Sequence, residues 1–248
     1  MSLILEFSDL TKSFEKTNER PLTIKELLIN LITFNFIKNQ QDQKVSTVLS
    51  DFNLRVYKND FVGIMGRNGV GKSTLLKLIS QIYTPTSGSA KSYGSIVPLL
   101  ELGAGFAPEL NGYENIYLNS SILGFEKKEI DLLFDSIVNF SELGDHLERP
   151  VRNFSSGMLV RLGFSIAAHL NADILLFDEI LAVGDAGFQK KCVDKIMDLH
   201  KKGKTIILVT HSPEQVESYC NRCVIIDAGK IIFDGDVNNG ADTYRKLF

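Results

Sequence analysis

Gly66-Arg67-Asn68-Gly69-Val70-Gly71-Lys72-Ser73-Thr74 is the stretch that decides the fold of this chain. It follows an apolar segment with strand character, Asp60-Phe61-Val62-Gly63-Ile64-Met65, and opens one with helix character, Leu75-Leu76-Lys77-Leu78-Ile79. A strand, a glycine-rich turn matching GxxxxGK[ST] and a helix make up a phosphate cradle. The glycines let successive N–H groups point at one anion, and the helix N-terminus adds its positive end. Lys72 is placed to reach the β- and γ-phosphates of a nucleotide, and the Ser73 hydroxyl to ligate magnesium. The competing reading is a glycine turn that only caps a helix beside a solvated lysine, and the two flanks argue against it.

Composition agrees with an enzyme-sized globular chain. Of 248 residues, 44% are hydrophobic and 23% charged, enough for one large α/β domain or two small ones. The net charge of −3 argues against a nucleic-acid partner held by counterion release. Met1-Ser2-Leu3-Ile4-Leu5-Glu6-Phe7 has no basic start and alternates like a strand, so no signal peptide is expected. No uncharged apolar run is long enough to span a bilayer. Three cysteines are too few for a disulfide framework and point to a reducing compartment. Cys220-Asn221-Arg222-Cys223 lacks the second pair of a zinc site and reads as structural.

A phosphate loop cannot hydrolyse ATP alone, so further chemistry is expected downstream. Asp173-Ile174-Leu175-Leu176-Phe177-Asp178-Glu179 is an apolar run ending in two carboxylates. It reads as a buried parallel strand whose C-terminal end meets the ligand. Asp178 would orient the magnesium and Glu179 would polarise the attacking water. A second such strand, Thr205-Ile206-Ile207-Leu208-Val209-Thr210, ends at His211, whose imidazole can contact a γ-phosphate. Phe154-Ser155-Ser156-Gly157-Met158 opens the helical pattern Leu159-Val160-Arg161-Leu162-Gly163-Phe164 and reads as a second anion site or a plain N-cap.

Together these motifs resemble the nucleotide-binding subunit of ATP-binding cassette (ABC) transporters over nearly the whole chain. The resemblance implies a P-loop NTPase with a RecA-like core and a helical signature subdomain, using ATP and Mg2+. Gly66 to Thr74 stand at the Walker A loop, residues 174–178 at the Walker B strand, and Glu179 at the catalytic glutamate. His211 stands at the switch histidine and Asp185, in Ala182-Val183-Gly184-Asp185, at the D-loop. Phe154-Ser155-Ser156-Gly157-Met158 matches the signature LSGGQ, keeping Ser155 and Gly157 and departing at Ser156 and Met158. In this family each ATP is clamped between the loop of one subunit and the signature of another, so the resemblance implies a homodimer on integral-membrane permease subunits.

The segments Leu99-Leu100-Glu101-Leu102-Gly103-Ala104-Gly105-Phe106, Pro108 to Asn119 and Glu179 to Cys192 resemble the polysaccharide-exporting branch. Its members move lipid-linked O-antigen, teichoic acid or capsule, working peripherally at the cytoplasmic face of the inner membrane. Glu101 is the polar candidate for the metal-facing Q-loop position, about one residue out of register, and Phe14 the candidate for stacking on adenine. Asn111 and Glu114 are spaced as a capping box. Residues 15–46 exceed a minimal cassette. Within them Thr23-Ile24-Lys25-Glu26 is a second capping box, and about 22–37 reads as an amphipathic helix against membrane or partner, or packed on its own domain.

The expected organisation is a core of residues 1–100 and 160–248 with a helical lobe at 101–159, closing on a hairpin over Val224 to Phe233. Some exporters append a carbohydrate-recognition domain beyond this point, and without one polymer choice would fall to the membrane subunit. A chromosome-type cassette would need a coiled-coil insertion and basic surface, and a translation-associated one a second set of motifs. A small-solute transporter ATPase is the alternative within transport.

Overall fold

Strands rich in β-branched and aromatic residues organise the molecule into two sheets with helices around them. A computed structural model of the chain describes residues 2–16, 44–99, 103, 105–178 and 185–248. Its strands are β1 (Leu3–Lys16), β2 (Lys44–Tyr57), β3 (Phe61–Met65), β4 (Ser87–Ser92), β5 (Ile96–Leu99), β6 (Ile174–Asp178), β7 (Thr205–Thr210), β8 (Arg222–Asp227) and β9 (Lys230–Gly235). The helices are α1 (Lys72–Ile79), α2 (Gly112–Ile122), α3 (Lys127–Ser141), α4 (Ser156–Ala167), α5 (Ala186–Lys201), α6 (Pro213–Tyr219) and α7 (Val237–Leu247).

A six-stranded sheet runs in the order β5-β6-β7-β3-β8-β9, parallel except for the last strand. The β8–β9 hairpin turns through Ala228 and Gly229, both at positive φ, as the sequence predicts. A second, antiparallel sheet takes the order β2-β1-β4.

The period of two along each strand decides which core each residue joins. Leu175, Phe177, Ile206 and Leu208 face a core shared with Ile116 of α2, Ile130 and Ile137 of α3, Phe164 of α4 and Phe188 of α5. Ile174, Leu176, Ile207 and Val209 point the other way, into a core shared with α1 and the antiparallel sheet. With both faces covered, β3 and β7 are buried along their whole length. Each such side chain contributes roughly 1.5–3 kcal/mol.

Local signals predict several helix starts. Asn111 accepts from Glu114 N at 2.9 Å while Glu114 Oε2 accepts from Asn111 N at 2.8 Å, completing the capping box. Helix α4 is continuous from Ser156 to Ala167 and so crosses the expected 159/160 division between helical lobe and core. Its apolar face packs into the same core as β5 and β6, which ties those two parts together. The cysteines are free: Cys223 is buried and its thiol pushed up to about 12, chiefly by desolvation, and burial raises Cys220 likewise. Thiols so held are poor metal ligands, in keeping with a structural reading. The segment 22–37 lies outside the described residues.

Candidate functional site

The parallel strands deliver their C-terminal ends to one edge of the sheet. Met65 pairs with Thr210, and Asp178 pairs with Val209, so the loop after β3, the carboxylate of β6 and the turn after β7 emerge side by side. That edge is where open α/β sheets gather ligands.

The loop is held tightly against the sheet. A Cβ on Gly66 would stand 2.5 Å from the Ile226 carbonyl oxygen, so only glycine lets the chain leave β3 here. Gly71 takes φ 108° as the N-cap of α1, a left-handed conformation that turns the backbone inward. Lys72 is buried, and its ammonium donates to Gly66 O at 2.6 Å and Arg67 O at 3.0 Å. The loop thus carries its cation folded against its own carbonyls, ready to face an anion.

An open cleft of about 400 Å³ lies above, lined by Val48, Asn68, Gly69, Gly71, Lys72, Ser73, Thr74 and Asp178. It brings together the cation, the hydroxyl and the carboxylate that the sequence places 106 residues apart. Ser73 and Asp178 bring a hydroxyl and a carboxylate, hard oxygen donors of the kind magnesium takes, to this cleft. Glu179 and Glu101 lie outside the described residues. His211 is exposed immediately after β7, and its turn is braced by Thr210, whose Oγ1 donates to Gln215 Oε1 at 2.8 Å and accepts from Ser212 N at 3.1 Å. Ser212 caps α6 through Gln215 N at 3.3 Å.

Phe14 lies outside the cleft lining. Its ring meets Tyr83 edge-on at 5.5 Å, with the Lys12 ammonium 4.9 Å from its centroid. Val48 of β2 lines the cleft, a residue that strand pattern alone does not single out.

Ser155 caps α4, accepting from Met158 N at 3.3 Å. Ser155 and Ser156 are exposed, and a Cβ on Gly157 would meet only Ser155 Oγ, at 3.9 Å, so this surface is open to a close approach. Asp185 caps α5 through Phe188 N at 3.1 Å and also pairs with Arg161 of α4. Both contacts, that with Phe188 first, hold its carboxyl below the usual range. Asp185 therefore anchors α4 to α5 in this chain. Arg161 also donates to Glu142 Oε2 at 3.0 Å and lies 4.5 Å from the Phe188 ring centroid. Arg161 was not singled out from sequence. Its place six residues after the Ser155 cap was the available signal.

The family described as ABC transporter matches residues 49–182. The chain is 46% identical over 240 residues to the O-antigen export system ATP-binding protein RfbB of Myxococcus xanthus, covering 96% of this chain and 54% of that protein. It is 39% identical over 247 residues to the protein of the same name from Klebsiella pneumoniae, covering 99% of each. It is 37% identical to the teichoic acids export ATP-binding protein TagH of Staphylococcus saprophyticus, covering 100% of this chain and 90% of that one. Among solved structures, a dimeric post-hydrolysis ATP-binding cassette bound to ADP and Pi superimposes with a TM-score of 0.72 at 20% identity, covering 94% of this chain and 99% of that one. The chain thus spans about half the length of the Myxococcus relative and nearly all of the Klebsiella one.

Proposed function

The chain belongs to the ABC transporter family, and from that premise we propose that it is the ATP-binding and hydrolysing subunit powering export of a lipid-linked polysaccharide across the cytoplasmic membrane. The observation that carries the ATPase reading is the convergence of Lys72, Ser73 and Asp178 on one cleft at the C-terminal edge of a parallel sheet. Support for the polymer comes from likeness to O-antigen and teichoic acid exporters over nearly the whole chain.

In this reading the 66–74 backbone and Lys72 bind the β- and γ-phosphates. Ser73 and Asp178 would hold magnesium, which supplies charge neutralisation on those oxygens. Glu179 orients the attacking water, and His211 contacts the γ-phosphate from the end of β7. Ser155, Ser156 and Gly157 present the exposed head of α4 to the nucleotide of a second copy. The working form is a homodimer in which ATP is shared between loop and signature and stabilises the pair by mass action. Residues 1–100 and 160–248 serve as the core and 101–159 as the helical lobe, the two joined through the continuous α4, and the whole is seated on permease subunits at the cytoplasmic face. Among the described residues no helix is long and apolar enough to cross a membrane.

The test uses Glu179→Gln, which should bind ATP as wild type does but turn it over at least a hundredfold more slowly. The same protein should shift from monomer to dimer on size exclusion when ATP is added, and Ser155→Arg should prevent that shift. Near wild-type turnover in Glu179→Gln would remove the catalytic assignment. Cells lacking the gene but keeping normal surface polymer would point to the small-solute alternative.

A further inference from the structure

Helix α7 contacts the phosphate loop and also α6, the helix that follows the His211 turn. Its start is capped locally: Asp236 Oδ1 accepts from Asn238 N at 3.0 Å and Asn239 N at 3.1 Å, both in its own first turn. Gly240 then packs so closely on β8 that a Cβ there would stand 2.4 Å from Cys223 Sγ. That close approach seats α7 on β8, with no room for a larger residue at 240.

The C-terminal end of α7 reaches the phosphate loop and α6. Arg245 and Phe248 are three residues apart and so share a face. The Phe248 ring lies 5.2 Å from the Arg67 guanidinium, within cation–π range. Arg67 sits in the phosphate loop, and its carbonyl is one of the acceptors holding Lys72. Arg245 forks onto Glu217 at 2.7 and 2.8 Å and reaches Glu214 at 3.3 Å, both on α6. Glu214 in turn accepts from Ser212 Oγ at 2.8 Å, and Ser212 follows His211 directly. The pairing of Met65 with Thr210 brings these two loops off neighbouring strands.

We propose that α7 is the element that sets the phosphate loop and the His211 turn relative to each other, with Phe248 and Arg245 as positioning residues for ATP hydrolysis. Phe248 preorganises the loop by holding Arg67, so it acts on nucleotide capture. Arg245 preorganises the His211 turn by holding α6, so it acts on the chemical step. Neither touches the reacting atoms. The kinetic half of this inference rests on the ATPase reading; the mechanical half does not.

The experiment joins amide hydrogen exchange to steady-state kinetics on the full chain. Phe248→Ala should speed exchange at residues 66–71 severalfold and raise KM for ATP about two- to fivefold with kcat little changed, the size one exposed cation–π contact supplies. Phe248→Trp should restore both values, and Phe248→Leu, apolar but without a π-face, should not. Arg245→Ala should speed exchange at residues 211–215 and lower kcat by a similar factor with KM little changed, and Arg245→Lys should recover only part because the fork is lost. Unchanged exchange and unchanged kinetics in every variant, whatever the melting temperature does, would reduce α7 to packing and overturn the inference. Variants that exchange as expected, beside a wild-type protein with no ATPase activity, would sink the reading of the site and leave the linkage through α7 standing.

Discussion

Arg161 in the second turn of α4 is ion-paired with Asp185, the N-cap of α5, so the helix that begins at Ser155 and Ser156 is bolted to the helix that follows the carboxylate strand. Glu142 and Lys191 extend the bolt, the latter pair meeting at 2.6 Å. Hydrogen bonds from Lys191 and then Arg161 hold the Glu142 carboxyl below its ordinary range. The cluster joins α3, α4 and α5, and any movement of α4 must carry α5 with it or break these contacts.

The first prediction follows from that bolt. Arg161→Ala should lower stability by about 1–2 kcal/mol, since a half-exposed pair contributes little alone and the Phe188 ring loses its cation too. A double-mutant cycle with Asp185→Asn, read by urea denaturation, should give a small but non-zero coupling between the two residues. Additive effects would show that the two residues act independently.

Two glycines should respond in opposite ways. Gly66→Ala drives a Cβ against the Ile226 carbonyl and should both destabilise the chain and abolish ATP binding, read by nucleotide titration. Gly157→Ala meets open space and should leave the monomer as stable or up to about 1 kcal/mol more so, because alanine is the better helix former. It should nonetheless weaken the ATP-driven dimer, where that surface must approach a phosphate closely. Equal behaviour of the two variants in both assays would contradict this.

Acid should cost stability through His169. Burial first, with Lys195, Lys191 and Lys202 adding to it, lowers its pKa to about 4, against a weaker upward pull from its Nδ1–H bond to Ser165 O at 2.7 Å. Unfolded, the imidazole takes up a proton near its ordinary pKa of 6.5, so the unfolded state binds more protons between that value and about 4. Stability should therefore fall as pH drops through this window, by about 1–2 kcal/mol after allowing for solvent at the ring edge. Denaturation of wild type and His169→Leu at pH 7 and pH 4.5 should show the slope reduced in the variant.

The segment 22–37 carries its own test. If its apolar residues face lipid or permease, replacing Leu27, Leu28 and Leu31 with Glu should leave the isolated subunit's ATPase intact and abolish surface polymer in cells. Loss of basal ATPase would instead mark the segment as part of the domain core. Unchanged surface polymer would deny it any part in export.

Local chemistry made much of this legible. The capping box of Asn111 and Glu114 and the Ser155 cap each rest on residues within three positions of one another, so their partners stand in view in the sequence. The strands β6 and β7 declare themselves as unbroken apolar runs because both faces of a parallel sheet are covered. Arg161 shows the limit, since helical periodicity assigns it a face but cannot name Asp185 as what lies opposite.

The order of motifs determines which chemical groups this chain can bring to a nucleotide: a cation at Lys72, a hydroxyl at Ser73, a carboxylate at Asp178 and an imidazole at His211. That information is carried by residue type and short spacing, which backbone sterics and hydrogen bonding read directly. Which of these groups meet, and what braces them, was decided only when strands distant in sequence became neighbours through β3, β6 and β7. The same is true of Phe248 on Arg67 and Val48 on the cleft wall. Contacts across such separations depend on how whole faces pack, and packing is a property of the assembled core rather than of any stretch of chain.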